Sequence, residues 1–167
     1  SAFLSNSMTN MSTPSELSRS DKSGWQPCGV GHVAVYGTLR AGAVNDIARL
    51  RGGMVITGRT TLTGTLHDLG WYPGLVLQGT QQVLAEVYPL DAALEQVLDG
   101  YEGIWPQDTG EYTKRTLTVP VALTGGGTQT LAVLVYEALP ATVQAAPVID
   151  SGDWLAWFTA HKTAPGA

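Results

Sequence analysis

In the stretch "LDAALEQVLDGYEG" the hydrophobic period of the chain changes. Leu90, Leu94, Val97, Leu98 and Tyr101 stand at i, i+4, i+7, i+8 and i+11, which is one face of an α-helix. Asp91 is placed to be its N-cap and Gly100 its C-terminal stop. The rest of the chain runs mostly with a strand's period. "HVAVY" reads as a short, nearly continuous buried strand, and "MVITGRTTLTGTLHDLG" as a Thr-rich one that Gly58 and Gly64 should bend or bulge. "WYPGLVLQ" carries a turn at Pro73-Gly74 and then a strand, and "QQVLAEVYPL" reads as a further one. "EYTKRTLTVPVAL" and "QTLAVLVYEAL" form a hairpin across "TGGGT". "AVNDIARL" fits one or two helical turns, and Trp154, Trp157 and Phe158 fall at helical spacing after a turn at Ser151 to Asp153. Bent strands around one good helix predict a single α+β domain with a barrel-like sheet.

The domain is expected over 28–160. Residues 1–27 read as a flexible Ser/Thr/Asn-rich tail, with Met8 or Met11 a natural start, and 161–167 as a C-terminal tail. A length of 167 residues suits one domain, and 44% hydrophobic with 14% charged residues is a globular composition. The formal net charge of -5 offers no basic footprint, so nucleic acid is not an expected partner. No run of about 18 apolar residues predicts a membrane helix. The lone Cys28 cannot form an internal disulfide, which fits a reducing, cytoplasmic setting and an inert thiol. Three scattered histidines and one cysteine give no metal-ligand cluster, so no metal is expected.

Motifs for nucleophilic and nucleotide chemistry are missing. There is no G-x-S-x-G elbow, no Walker loop and no G-x-G-x-x-G fingerprint. Gly125 to Gly127 read as a hairpin turn rather than a phosphate loop. Two features remain. "YGTLR" ends the first strand in a Gly turn, whose successive backbone N–H groups can converge on a carboxylate or an oxyanion. Glu102 follows the helix, where the negative end of the helix dipole and aromatic neighbours such as Tyr101 and Trp105 would raise its pKa. That is what a general base near neutral pH needs, although a solvated helix-end acid has the same sequence.

Taken in order, "VAVYGTLR", "GTLHDLGWYPGLVL", "AEVYPL", "LDGYEG", "EYTKRTLTV", "LVYEA" and "SGDW" resemble the gamma-glutamylcyclotransferase-like superfamily. That group includes the gamma-glutamylamine cyclotransferases and the plant avirulence-induced proteins, and the likeness runs from about Val33 to Trp154. The resemblance implies a single-domain mixed β-barrel with few flanking helices and a cavity for a gamma-glutamyl group. It implies that Tyr36, Gly37, Thr38 and Leu39 hold the glutamyl end through backbone groups, that Glu102 accepts a proton, and that Tyr136 lines the cavity. The implied reaction is intramolecular attack of the alpha-amine on the gamma-carbonyl, releasing 5-oxoproline and a free amine without a cofactor. The partner is then a small-molecule gamma-glutamyl substrate, and the enzyme an acyltransferase- or lyase-type cyclotransferase.

Several residues stay open on the sequence. Arg40 either faces an anionic part of the substrate or is an exposed strand-end cation. Tyr72 and Pro73 either wall the cavity or make a structural turn. Tyr112 and Arg115 either approach Glu102 and the substrate or form ordinary cross-strand pairs. Asp153 and Trp154 are expected to cap a helix and pack on the core, and His67 and Asp68 to be structural. The loops "WPQDTG" and "WYPG" are where choice of the leaving amine is expected. A non-catalytic small-molecule binding domain with the same cavity is the competing class, and a protein-interaction barrel a third. Oligomeric state is not legible.

Overall fold

β-branched and alternating sequence takes the extended form almost everywhere in the computed structural model, which describes residues 25–43 and 45–161. The expected N-terminal tail up to residue 24, and the C-terminal tail after His161, lie outside the described residues. Five strands are present: β1 (His32–Val35), β2 (Gly58–Asp68), β3 (Pro73–Pro89), β4 (Tyr112–Leu123) and β5 (Thr128–Ala138). They close into a barrel in the order β1-β3-β2-β4-β5. The β1–β5 pairing is parallel and the others antiparallel, which makes the barrel mixed. Four helices flank it among the described residues: α1 (Ile47–Leu50), α2 (Ala92–Tyr101), α3 (Pro140–Val143) and α4 (Trp154–His161). The fold is α+β.

Strand alternation sends side chains into two cores. One takes residues from all five strands and so fills the barrel: Ala34, Leu62, Leu66, Val83, Val87, Val121, Val133 and Val135, with Trp154 of α4. The other lies outside, where Val33, Val35, Tyr88 and Leu134 meet Ile47 of α1 and Leu94 and Leu98 of α2. β1 is buried on both faces because it separates the two.

Two sequence expectations are corrected, and a third is met at one of its two glycines. The segments "GLVLQ" and "QQVLAEVYPL" are one 17-residue strand, β3, and not two. The turn before it closes earlier than Pro73-Gly74: the Leu69 N–H donates to the Tyr72 carbonyl (3.0 Å), and Pro73 already pairs with Asp68. A proline is accommodated there because the first residue of a strand can spare its N–H. The expected bend falls at Gly64 and Thr65, where the β2–β3 register shifts.

Helix α2 is capped as its sequence predicts, with the Asp91 carboxylate accepting from the Leu94 N–H (2.8 Å). Its end lies beyond Gly100, however. The Glu102 N–H still donates to the Leu98 carbonyl (2.8 Å), so the left-handed residue that stops the helix is Gly103, at φ +73°. Its buried stripe also differs from the apolar pattern. Val97 and Tyr101 are exposed, whereas Glu95 and Asp99 are buried beside Leu94 and Leu98. The two acids are tolerated because Lys114 of β4 binds both, and Asp99 also accepts from the Tyr136 hydroxyl (2.7 Å).

The chain before β1 docks on the same cluster. Trp25 Nε1 donates to Asp99 (2.7 Å) and the Cys28 N–H to Glu95 (2.8 Å), so packing begins upstream of residue 28. Burial pushes the Cys28 thiol above its ordinary pKa, away from thiolate reactivity. At the other end His161 is the last residue of α4 and stacks on Trp157.

Candidate active site

Where β1 ends, beside the C-terminus of α2, the barrel opens into a cavity of about 650 Å³. Tyr36, Gly37, Thr38 and Leu39 form one wall, Tyr72, Pro73, Tyr112 and Tyr136 another, and Glu102 enters from the end of α2. The structure therefore brings together Glu102 and all the residues expected to bind substrate except Arg40, while Trp105 and Arg115, expected nearby, do not line the cavity.

The exception is Arg40. It does not line the cavity. Its guanidinium binds Glu86 (3.2 Å) and Asp153 (2.9 Å), and its side chain is 11% exposed, so its charge serves the loop's attachment and not a substrate. Glu86 also accepts from the Ala41 N–H (2.8 Å) and the Tyr88 hydroxyl (2.9 Å), and so fixes the turn from behind. Asp153 additionally accepts from the Ala156 N–H (3.2 Å), capping α4.

The turn itself is tight. The Arg40 N–H donates to the Gly37 carbonyl (3.0 Å), and the Asn45 and Ile47 N–H groups take the Thr38 and Leu39 carbonyls (both 2.9 Å). The N–H groups of Gly37, Thr38 and Leu39 carry no hydrogen-bond partner among the described residues. Three successive unpaired amides on a cavity wall form a site for an anion. Gly37 is required by contact: a Cβ there would lie 2.5 Å from Pro73 Cγ and 2.7 Å from Pro73 Cδ. Gly37→Ala is expected to cost about 1–3 kcal/mol of stability by overpacking. Urea unfolding would check it, an unchanged midpoint meaning that the proline ring yields freely.

The tyrosines offer rings more than hydroxyls. Tyr36 donates to the Tyr136 carbonyl (2.7 Å) and accepts from the Leu75 N–H (3.2 Å). Tyr112 donates to the Pro73 carbonyl (2.7 Å), Tyr136 to Asp99, and Tyr72 to Glu111. Burial holds Tyr36, Tyr112 and Tyr136 far above the ordinary phenol range, so they stay protonated. Tyr72 is pushed up to about 12, chiefly by its bond to Glu111.

Glu102 has no such partner: no hydrogen bond engages its half-buried carboxyl among the described residues. Its pKa is raised to about 8, first by burial and then by the like charges of Glu111 and Asp99. Trp105, expected to desolvate it, is absent from the cavity wall, as is the rest of "WPQDTG". Of the two loops expected to choose the leaving amine, only "WYPG" lines the cavity, through Trp71, Tyr72 and Pro73. Arg115 likewise points elsewhere, pairing with Glu137 (2.8 Å). His67 meets the Ala146 carbonyl (3.1 Å) and Asp68 the Gly70 N–H (2.8 Å), both structural contacts.

Asn45, Glu111 and Phe158 also line the cavity, and the sequence reading assigned them no site role. Only Glu111 carried a signal, as the first residue of the "EYTKRTLTV" segment. Phe158 arrives from α4, a long-range contact that no local pattern announces.

With this geometry in place, the comparisons decide the family. The model of the gamma-glutamyl cyclotransferase, AIG2-like family matches residues 33–156. The chain belongs to that family. A Vibrio cholerae relative named "Putative gamma-glutamylcyclotransferase" is 34% identical over 122 residues, 73% of this chain and 93% of its own length. Among solved structures, Bacillus subtilis YkqA superposes with a TM-score of 0.57 at 24% identity over 81% of this chain. This chain spans 43% of the YkqA chain. An AIG2-like protein of Mus musculus gives a TM-score of 0.52 at 21% identity, covering 72% of this chain and 86% of its own. These superpositions show a shared fold. Among the described residues no helix is long and apolar enough to cross a membrane, and no three His, Cys, Asp or Glu side chains converge to hold a metal.

Proposed function

We propose that the chain catalyses gamma-glutamyl cyclotransfer, with Glu102 as the proton carrier and the Gly37–Leu39 amides as the anion site. The observation that carries this reading is the unpartnered Glu102 carboxyl in a cavity that also presents three unpaired amides. A gamma-glutamyl amide brings a protonated alpha-amine, a carboxylate and a gamma-carbonyl. Ionised Glu102 takes one proton from the alpha-ammonium, and the freed nitrogen attacks the gamma-carbon. The new C–N bond closes a five-membered ring and puts negative charge on the former carbonyl oxygen. Glu102 passes its proton to the leaving nitrogen, the old amide C–N bond breaks, and the ring nitrogen gives up its second excess proton to the departing amine. 5-Oxoproline and an ammonium product result. Because attack is intramolecular, folding and orienting the substrate supplies much of the acceleration. The amides suit either the substrate carboxylate or the developing oxyanion.

Purified protein assayed against gamma-glutamyl amines and dipeptides should release 5-oxoproline. Since the base must be ionised and its pKa is raised to about 8, kcat/KM should fall as pH drops below that value, about tenfold per unit. A rate flat from about pH 5 to 8 would remove Glu102 from the role. Ligand-induced melting shifts without any product would instead assign a binding domain.

A further inference from the structure

We infer, on the cyclotransferase reading, that the leaving group is an arylalkylamine without a carboxylate, seated against Trp71 and Phe158. Charge supplies the first argument. Among the described residues the carboxylic acids lining the cavity are Glu102 and Glu111, and no Lys, Arg or His lines it. Cations near it are already committed: Arg40 to Glu86 and Asp153, Lys114 to Glu95 and Asp99. The unpaired amides can satisfy one carboxylate, which every gamma-glutamyl group brings with its own alpha-carbon. A gamma-glutamyl amino acid brings a second one, on the atom next to the scissile nitrogen. That carboxylate would face two acids with no positive partner, a placement that desolvation and repulsion both disfavour.

Shape supplies the second argument. Trp71 is 67% exposed at the mouth, although an indole gains most from burial. It meets Phe158 edge to ring, centroids 5.7 Å apart at 64°, and Phe158 leans on the buried Trp154 at 5.3 Å. Phe158 is thus held in place while one face of the Trp71–Phe158 pair stays open. Behind the pair lies a smaller recess of about 130 Å³, walled by Gly42, Ala43 and Leu155 together with the same two rings. An aromatic ring on a short alkyl arm fits this wall, and its offset or edge contact with Trp71 would cover the indole. The hydroxyl of Tyr72, next to Trp71 in the chain, is taken by Glu111.

Three substrates test the inference: gamma-glutamylphenethylamide, gamma-glutamylphenylalanine and gamma-glutamylmethylamide, read by 5-oxoproline release. The phenethylamide should exceed each of the others by about tenfold or more in kcat/KM, the usual range for one group gained or misplaced in a pocket. Trp71→Ala should collapse the phenethylamide-to-methylamide ratio to within about twofold, and its exposure protects the fold. Glu111→Gln should narrow the gap between phenethylamide and phenylalanine by removing one repelling charge. Equal or faster turnover of gamma-glutamylphenylalanine would overturn the inference and leave cyclotransfer standing, as would a ratio that survives Trp71→Ala. No 5-oxoproline from any of the three would overturn cyclotransfer itself.

Discussion

Glu102→Gln should fold and yet lose about 10²–10⁴-fold in 5-oxoproline release, the range that general acid–base groups contribute. The substitution keeps size and polarity, and the wild-type carboxyl makes no hydrogen bond that the amide would break among the described residues. Stability should move the opposite way. The folded pKa of about 8 lies above the ordinary 4.5, so the native state favours the protonated acid. That contribution is complete below about pH 4.5 and is lost as pH rises through about 8. Gln cannot ionise. The variant should therefore melt level with the wild type in acid and above it in mildly alkaline buffer, by scanning calorimetry. A folded variant with wild-type turnover would end the proposed role of Glu102, and a variant less stable at alkaline pH would contradict its burial.

Trp154→Ala should cost about 3–5 kcal/mol, the usual loss for removing a large buried aromatic side chain. Trp154 is 1% exposed and, among the described residues, is the one helical side chain fully buried among the barrel's strand residues. Against a typical total of about 5–15 kcal/mol, that loss is severe. Activity should fall as well, since Trp154 supports Phe158 on the cavity wall. Trp154→Phe keeps part of the ring and should lose less on both counts. An unfolding free energy in urea lowered by less than about 1 kcal/mol would mean that α4 rests on the barrel without closing it.

The sequence made the strands, the capped α2 and most of the cavity wall legible, because alternation and capping act over a few residues. Length is where it failed. Nothing in "GLVLQGTQQVL" distinguishes two strands from one that bends, since Gly79 and the polar run around it read as a turn. The stop of α2 was misplaced by the choice between two glycines, Gly100 and Gly103, which only backbone conformation separates. Glu95 and Asp99 were invisible as buried groups because their partners, Lys114 and Tyr136, sit on distant strands. Glu102 was found for a partly different reason from the one that operates. Its raised pKa comes first from burial and then from Glu111 and Asp99, two like charges that the local sequence around Glu102 does not announce. The position of Arg40 misled in the other direction: the cation at the end of the turn after β1 is held by Glu86 and Asp153, away from the cavity.

The hydroxyls of Tyr36, Tyr72, Tyr112 and Tyr136 are all engaged by protein groups, and the open donors beside Glu102 belong to the main chain. Main-chain donors are written into no codon. A scan of the cavity by single substitutions should therefore find one side chain and one absence of a side chain, at Gly37, that turnover requires, while changes at the outer wall alter substrate preference. Such a site can keep its reaction while its walls are rewritten for new leaving groups, provided that the turn after β1 keeps its shape.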